Sequence, residues 1–121
     1  MSLSDEAQDL LPDLVALRRR LHQVPEIGLD LPQTQAIVLE ALEGLPLEIT
    51  TGSATTFVVA VLRGGMPGPT VLLRGDMDGL PVTEATDLPY AATTGTMHAC
   101  GHDLHTAGLV GAARLLSAHR E

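Results

Sequence analysis

The sequence predicts an α/β fold, on three observations. Apolar residues recur at helical spacing near both ends, and two continuously apolar runs occupy the middle. A long stretch with neither period separates the second run from the last helix. The order helix, helix, strands, loop, helix leaves sheet edges that something must cover.

The first helix is expected over residues 5–22, where Ala7, Leu10, Leu11, Leu14, Val15, Leu17 and Leu21 follow helical spacing. Ser4 serves as its N-cap, and Pro25 stops it soon after His22. A second helix is expected over 32–43, with Pro32 in its first turn and Gly44 at its C-terminal end. Strands are expected at 47–51, 56–63 and 70–74. The run from Phe57 to Leu62 and the run Val71-Leu72-Leu73 have no polar alternation, as in strands covered on both faces. The Gly- and Pro-rich stretch 64–69 joins them as a hairpin-like connection. Residues 75–102 form an unusually long loop, and loops of that kind tend to be functional. The last helix starts at Asp103 and carries Leu104, Leu109, Ala112, Ala113 and Leu116.

Composition narrows the function. A chain of 121 residues suits one domain, and an apolar content of 45% argues against disorder. Only 2% of residues are aromatic, so aliphatic side chains must build the core. A net charge of −8 disfavours nucleic acid and anionic membranes as partners. Arg18, Arg19 and Arg20 read as the polar face of a helix rather than a binding patch. No signal-peptide pattern occupies residues 1–20, and no apolar run is long enough to span a bilayer. The lone Cys100 excludes an internal disulfide, which suits a reducing cytoplasm.

Chemistry concentrates between residues 76 and 105. In an extended segment alternate side chains share a face, so His98, Cys100 and His102 can converge on one point. Ala99 and Gly101 between them allow close approach. Thiolate with imidazole suits zinc, cobalt, nickel, manganese or iron rather than magnesium or calcium. Cys100 by itself reads more readily as buried filler than as a ligand, and a Cys-His nucleophile is disfavoured because residues two apart seldom reach that geometry. The neighbouring histidines favour a metal. Asp76 and Asp78 follow the expected strand at 70–74, at the kind of strand end where open α/β sheets place their sites. Either could also merely cap a turn. Asp103 is as suited to capping the last helix as to catalysis. His22 reads as a partner of the helix dipole or of the Pro25-Glu26 turn, and His119 as solvated.

Three segments together resemble the M20 metallopeptidase family: 18–26 (RRRLHQVPE), 74–81 (RGDMDGLP) and 97–105 (MHACGHDLH). They are most similar to its branch of N-acyl-amino-acid amidohydrolases, in order and in rough spacing, over nearly the whole chain from residue 10. The resemblance implies that 1–121 is the N-terminal part of a mixed-sheet, helix-flanked metallohydrolase catalytic domain. Cys100 and His102 are then ligands of a two-metal centre holding divalent ions such as Zn, Mn, Co or Ni. The acidic pair holds the catalytic aspartate, and the motif can be registered on either Asp76 or Asp78. His98, Asp103 and His105 are supporting residues.

The implied reaction is hydrolysis of the amide of a small N-acyl amino acid, giving a free amino acid and a carboxylic acid. Members of this family are several-fold longer and homo-oligomeric, with a Glu-Glu pair after the last helix and a separate dimerisation domain. Both are missing from these 121 residues, so the expectation is an incomplete domain with little activity by itself. A non-catalytic metal-binding module and an inactive interaction fragment are the alternatives.

Overall fold

The computed structural model describes residues 1–121. Helix α1 spans Leu3–His22, α2 spans Pro32–Ala41, strand β1 spans Leu47–Thr51, β2 spans Val58–Leu62 and α3 spans His102–Ala118. The strands form one antiparallel pair in which Leu47 faces Leu62 and Thr51 faces Val58. No helix is long and apolar enough to cross a membrane.

Helix α1 begins two residues earlier than the apolar pattern suggests. Ser2, not Ser4, is the cap: its hydroxyl accepts the Asp5 N–H at 3.2 Å, and the Asp5 carboxylate accepts the Ser2 N–H at 3.0 Å. For α2, Pro32 supplies the first turn, but Leu31 has no side chain able to cap. Glu26 does this from a distance, accepting the N–H groups of Thr34 at 2.7 Å and Gln33 at 3.2 Å. Leu17 and Leu21 of α1, Ile37 and Val38 of α2, Leu42, and Ala107 and Val110 of α3 form the buried core.

Two expectations about the strands fail. Residues 70–74 form no strand, and stretch 64–69 joins no paired strands, because β2 is already paired with β1. A strand needs a backbone partner, and no segment of these 121 residues pairs with 70–74. Nor are the apolar runs covered on both faces. Leu72 is 88% exposed and Val71 77%, with Phe57, Val59 and Val61 also open to solvent. The accessible surface is 7711 Å². A compact protein of 12.7 kDa would expose about 6,200 Å². The excess is larger than the roughly 800 Å² that one partner of an ordinary protein interface covers.

The long irregular stretch from 75 to 101 is tied down at a few points. Leu80 and Met97 form an isolated antiparallel bridge with N–H···O distances of 2.8 and 3.0 Å. The Gly79 N–H donates to the Glu26 carbonyl at 2.7 Å, and the Thr96 hydroxyl donates to the Pro25 carbonyl at 2.8 Å. A side chain at Gly79 would come within 3.0 Å of Pro25 Cβ and 3.2 Å of the Met97 carbonyl, so the backbones close here only over glycine.

Helix α1 packs chiefly on α3, and buried charges join the two. His22 is not a surface partner of the helix dipole or of the Pro25-Glu26 turn but an interior bridge. Its Nδ1 lies 2.8 Å from Asp103 Oδ2 and its Nε2 lies 2.9 Å from Glu84 Oε2. Both carboxylate side chains are wholly enclosed. Arg18 Nε donates to the same Asp103 oxygen at 2.8 Å, and the guanidinium groups of Arg18 and Arg19 lie over Tyr90. Arg20 pairs with Glu40 in solvent, where such a bond contributes little. His119 is tied to Glu6 at 2.7 Å rather than simply solvated.

Burial alone would raise the Glu84 pKa from 4.5, but donors from Thr86, the Ala92 N–H and His22 outweigh it and hold the carboxyl at about 2. A depressed pKa means that the stabilisation is present above the unfolded value of 4.5 and is lost as pH falls toward 2. Urea midpoints measured between those limits should therefore fall more steeply for the parent chain than for Glu84→Gln. Parallel curves would show that Glu84 carries no such linkage. The uncovered apolar surface leads to a second expectation: the 121-residue polypeptide self-associates, and Leu72→Lys with Val59→Lys lowers that association. Light scattering that found a monomer at millimolar concentration would refute it.

Candidate metal centre

The site forms where the irregular stretch meets the first turn of α3. Gly101, at φ +82°, turns the chain into the helix, a conformation glycine adopts without strain. The helix starts at His102, one residue before the expected Asp103, and Asp103 is not its cap: its carboxylate is engaged by Arg18 and His22. This turn also breaks the extended alternation on which convergence of His98, Cys100 and His102 depends. The three side chains separate. His98 is buried, Cys100 is exposed, and His102 faces the acidic pair.

His102 is oriented from one side and presented on the other. Its Nδ1 lies 2.9 Å from both the carbonyl and the Oδ1 of Asp78. Both are acceptors, so Nδ1 donates. Nε2 is turned the other way and faces Asp76 Oδ2 at 3.3 Å, a gap that a proton or a cation between them would fill. His105 stands one turn along α3, its ring stacked on that of His102 with centroids 5.5 Å apart. Its Nδ1 reaches Asp76 Oδ1 at 2.6 Å. That hydrogen bond is the main reason the Asp76 carboxyl sits below its usual range, with the charges of His102 and His105 adding to it. The Thr106 hydroxyl donates to the Asp76 carbonyl at 2.9 Å and fixes the loop to the helix.

Asp76, His102 and His105 each offer a ligand atom, and these atoms lie within 4.8 Å of one another. One carboxylate and two imidazoles form a donor set that divalent transition metals and zinc accept readily. Of the residues singled out in the sequence, the structure thus brings together Asp76, Asp78 and His102. Cys100 stands outside this set. His105, read from the sequence only as a supporting residue, joins it. The signal for His105 was present in the spacing, since positions three apart on a helix share a face.

His98 is enclosed and neither of its ring nitrogens has a partner. Burial pushes its pKa below the ordinary imidazole value. Glu84 was not singled out in the sequence, and the bridging role of His22 was not legible there, because the contacts that define them span 62 and 81 positions.

Residues 72–121, which carry this arrangement, match the model of peptidase family M20/M25/M40. The thermostable carboxypeptidase 1 of Saccharolobus solfataricus is 40% identical over 121 residues, covering 98% of this chain and 31% of that protein. The N-acetyldiaminopimelate deacetylase of Streptococcus uberis is 50% identical over 97 residues, covering 77% of this chain and 26% of its own length. A solved structure from Bacillus subtilis, described as a dinuclear metal-binding peptidase of the M20 family, superposes with a TM-score of 0.87 at 39% identity. It is matched over 93% of this chain and 32% of its own. The chain therefore spans about a third or less of the relatives it matches. The motifs and the fold agree with that match, and over nearly its whole length the chain is similar to proteins of the M20 family.

Proposed function

We propose that this chain is part of a metal-dependent hydrolase that cleaves the amide bond of small N-acyl amino acids, releasing the amino acid and a carboxylic acid. The observation that carries the reading is the His102 ring, held at Nδ1 by Asp78 while its Nε2 faces Asp76. An imidazole oriented by a carboxylate on one side and free on the other is the arrangement that metal ligands adopt. His102 and Asp76 are proposed to hold divalent ions, Zn, Mn, Co or Ni, with Cys100 added on the family resemblance alone. His105 lies close enough to share in that role, and Asp78 is the orienting aspartate.

Bound ions would supply polarisation of the amide carbonyl and a water acidic enough to be deprotonated near neutral pH. The chain's own part is to set the direction of the donors. Asp78 fixes the tautomer of His102, Thr106 fixes the loop that carries Asp76, and Gly101 lets Cys100 and His102 lie on either side of a turn. Likeness to an N-acetyldiaminopimelate deacetylase supports a small N-acyl amino acid as substrate. The unpaired Cys100 supports a reducing cytoplasm, and oligomerisation of the whole protein is proposed from the family alone. One observation favours metal binding without catalysis: three donors already stand together in these 121 residues.

Substitution separates these roles. In the protein that carries this chain, His102→Ala, Cys100→Ala and Asp76→Asn should each lose bound metal, read by elemental analysis. Asp78→Asn should keep metal and lower turnover of N-acetyl and N-benzoyl amino acids about 10–100-fold. Full metal occupancy in both Cys100→Ala and His102→Ala would discard the ligand assignment. Full occupancy in the parent with no amino acid released from any such substrate would leave the non-catalytic reading.

A further inference from the structure

Behind the candidate metal centre lies a set of buried charges that the donor groups do not use. Asp103 follows His102 directly, on the first turn of α3, with its side chain wholly enclosed. One oxygen takes the N–H groups of Arg18 and His22, each at 2.8 Å, while the other accepts the N–H of Leu104 at 3.0 Å. The far nitrogen of His22 reaches Glu84, also enclosed, at 2.9 Å. The His22 ring thus joins two enclosed carboxyl groups, and the Arg18 guanidinium adds a fixed positive charge beside them. Mutual hydrogen bonding is what allows such groups to share an interior.

A carboxylate gripped from α1 by two donors and bonded to its own helix turn cannot swing. The residue immediately before it is His102. We infer that His22 and Arg18, acting through Asp103, are positioning residues that fix the first turn of α3 and so aim the His102 ring at Asp76. This rests on the metal-centre reading above and adds to it residues from a helix about 80 positions away in the chain. Glu84 completes the device by holding the other end of the His22 ring, which ties the aim of His102 to the irregular stretch as well as to α1.

Cobalt(II) titration of the protein that carries this chain tests this, read both by calorimetry and by the visible absorption of the bound ion. His22→Gln can bridge one carboxylate at most. Leu14→Ala is the control. It loosens the same α1–α3 contact at Gly111, where Leu14 packs so closely that a Cβ would meet it at 2.7 Å. Gly111 lies nine residues along α3 from His102, about 13 Å. The expected result is cobalt binding about 10–100-fold weaker in His22→Gln, with an altered absorption spectrum. Leu14→Ala should bind as the parent does despite an equal or larger loss of Tm.

Should His22→Gln fail to fold, Arg18→Gln decides. The Arg18 side chain is 24% exposed, and its loss should weaken binding in the same direction. Unchanged affinity and spectrum in the folded variant would overturn the inference, as would an equal weakening in Leu14→Ala. If the parent protein bound no cobalt, the metal-centre reading itself would fall, and the positioning role with it.

Discussion

A carboxylate removed from water must be answered by donors, and Asp103 is the place where this chain meets that demand. Its oxygens are enclosed, and the groups that satisfy them come from α1 and from its own helix. Because those donors are on α1, the first and last helices must lie against one another. Because His22 has a second face, Glu84 and the irregular stretch around it must close over the same point. The aliphatic core adds area, but its residues are interchangeable in a way that this set of charges is not. Removing one member would leave another buried and uncompensated, which costs far more than the intact set contributes.

The site inherits its order from that arrangement rather than from a sheet. Asp76 and Asp78 do not project from a strand end. They sit on irregular chain held by Thr106, by the Leu80–Met97 bridge and by the close approach of Gly79 to the Pro25-Glu26 turn. Glu26 serves two purposes there. Its carboxylate satisfies the start of α2, and its carbonyl receives Gly79, so one residue links the second helix to the loop that bears the acidic pair.

Local pattern made much of this legible. The three helices and β1 follow from apolar spacing and from Pro32 and Gly44, since helix and hairpin periods are written in neighbouring residues. The grouping of Asp76, Asp78 and His102 was legible as chemistry of one kind within 30 residues. Three things were not. The strand expected at 70–74 was inferred from apolarity, but apolarity says only that a segment seeks cover, not that a partner backbone is at hand. The convergence of His98, Cys100 and His102 assumed extended chain, which a single left-handed glycine interrupts. And His22 looked like a helix-end residue because nothing near it in sequence discloses a carboxylate 81 positions on.

That separation has a consequence during synthesis. A ribosome adds about 5–20 residues per second, so the 81 residues between His22 and Asp103 take on the order of ten seconds to appear. Helix α1, by contrast, can form in about a microsecond. For most of that interval the nascent helix carries Leu17 and Leu21 with no α3 to bury them and a histidine with no carboxylate to bridge. The N-terminal third of the chain thus exposes apolar side chains throughout that interval, and only the arrival of the last helix can cover them fully.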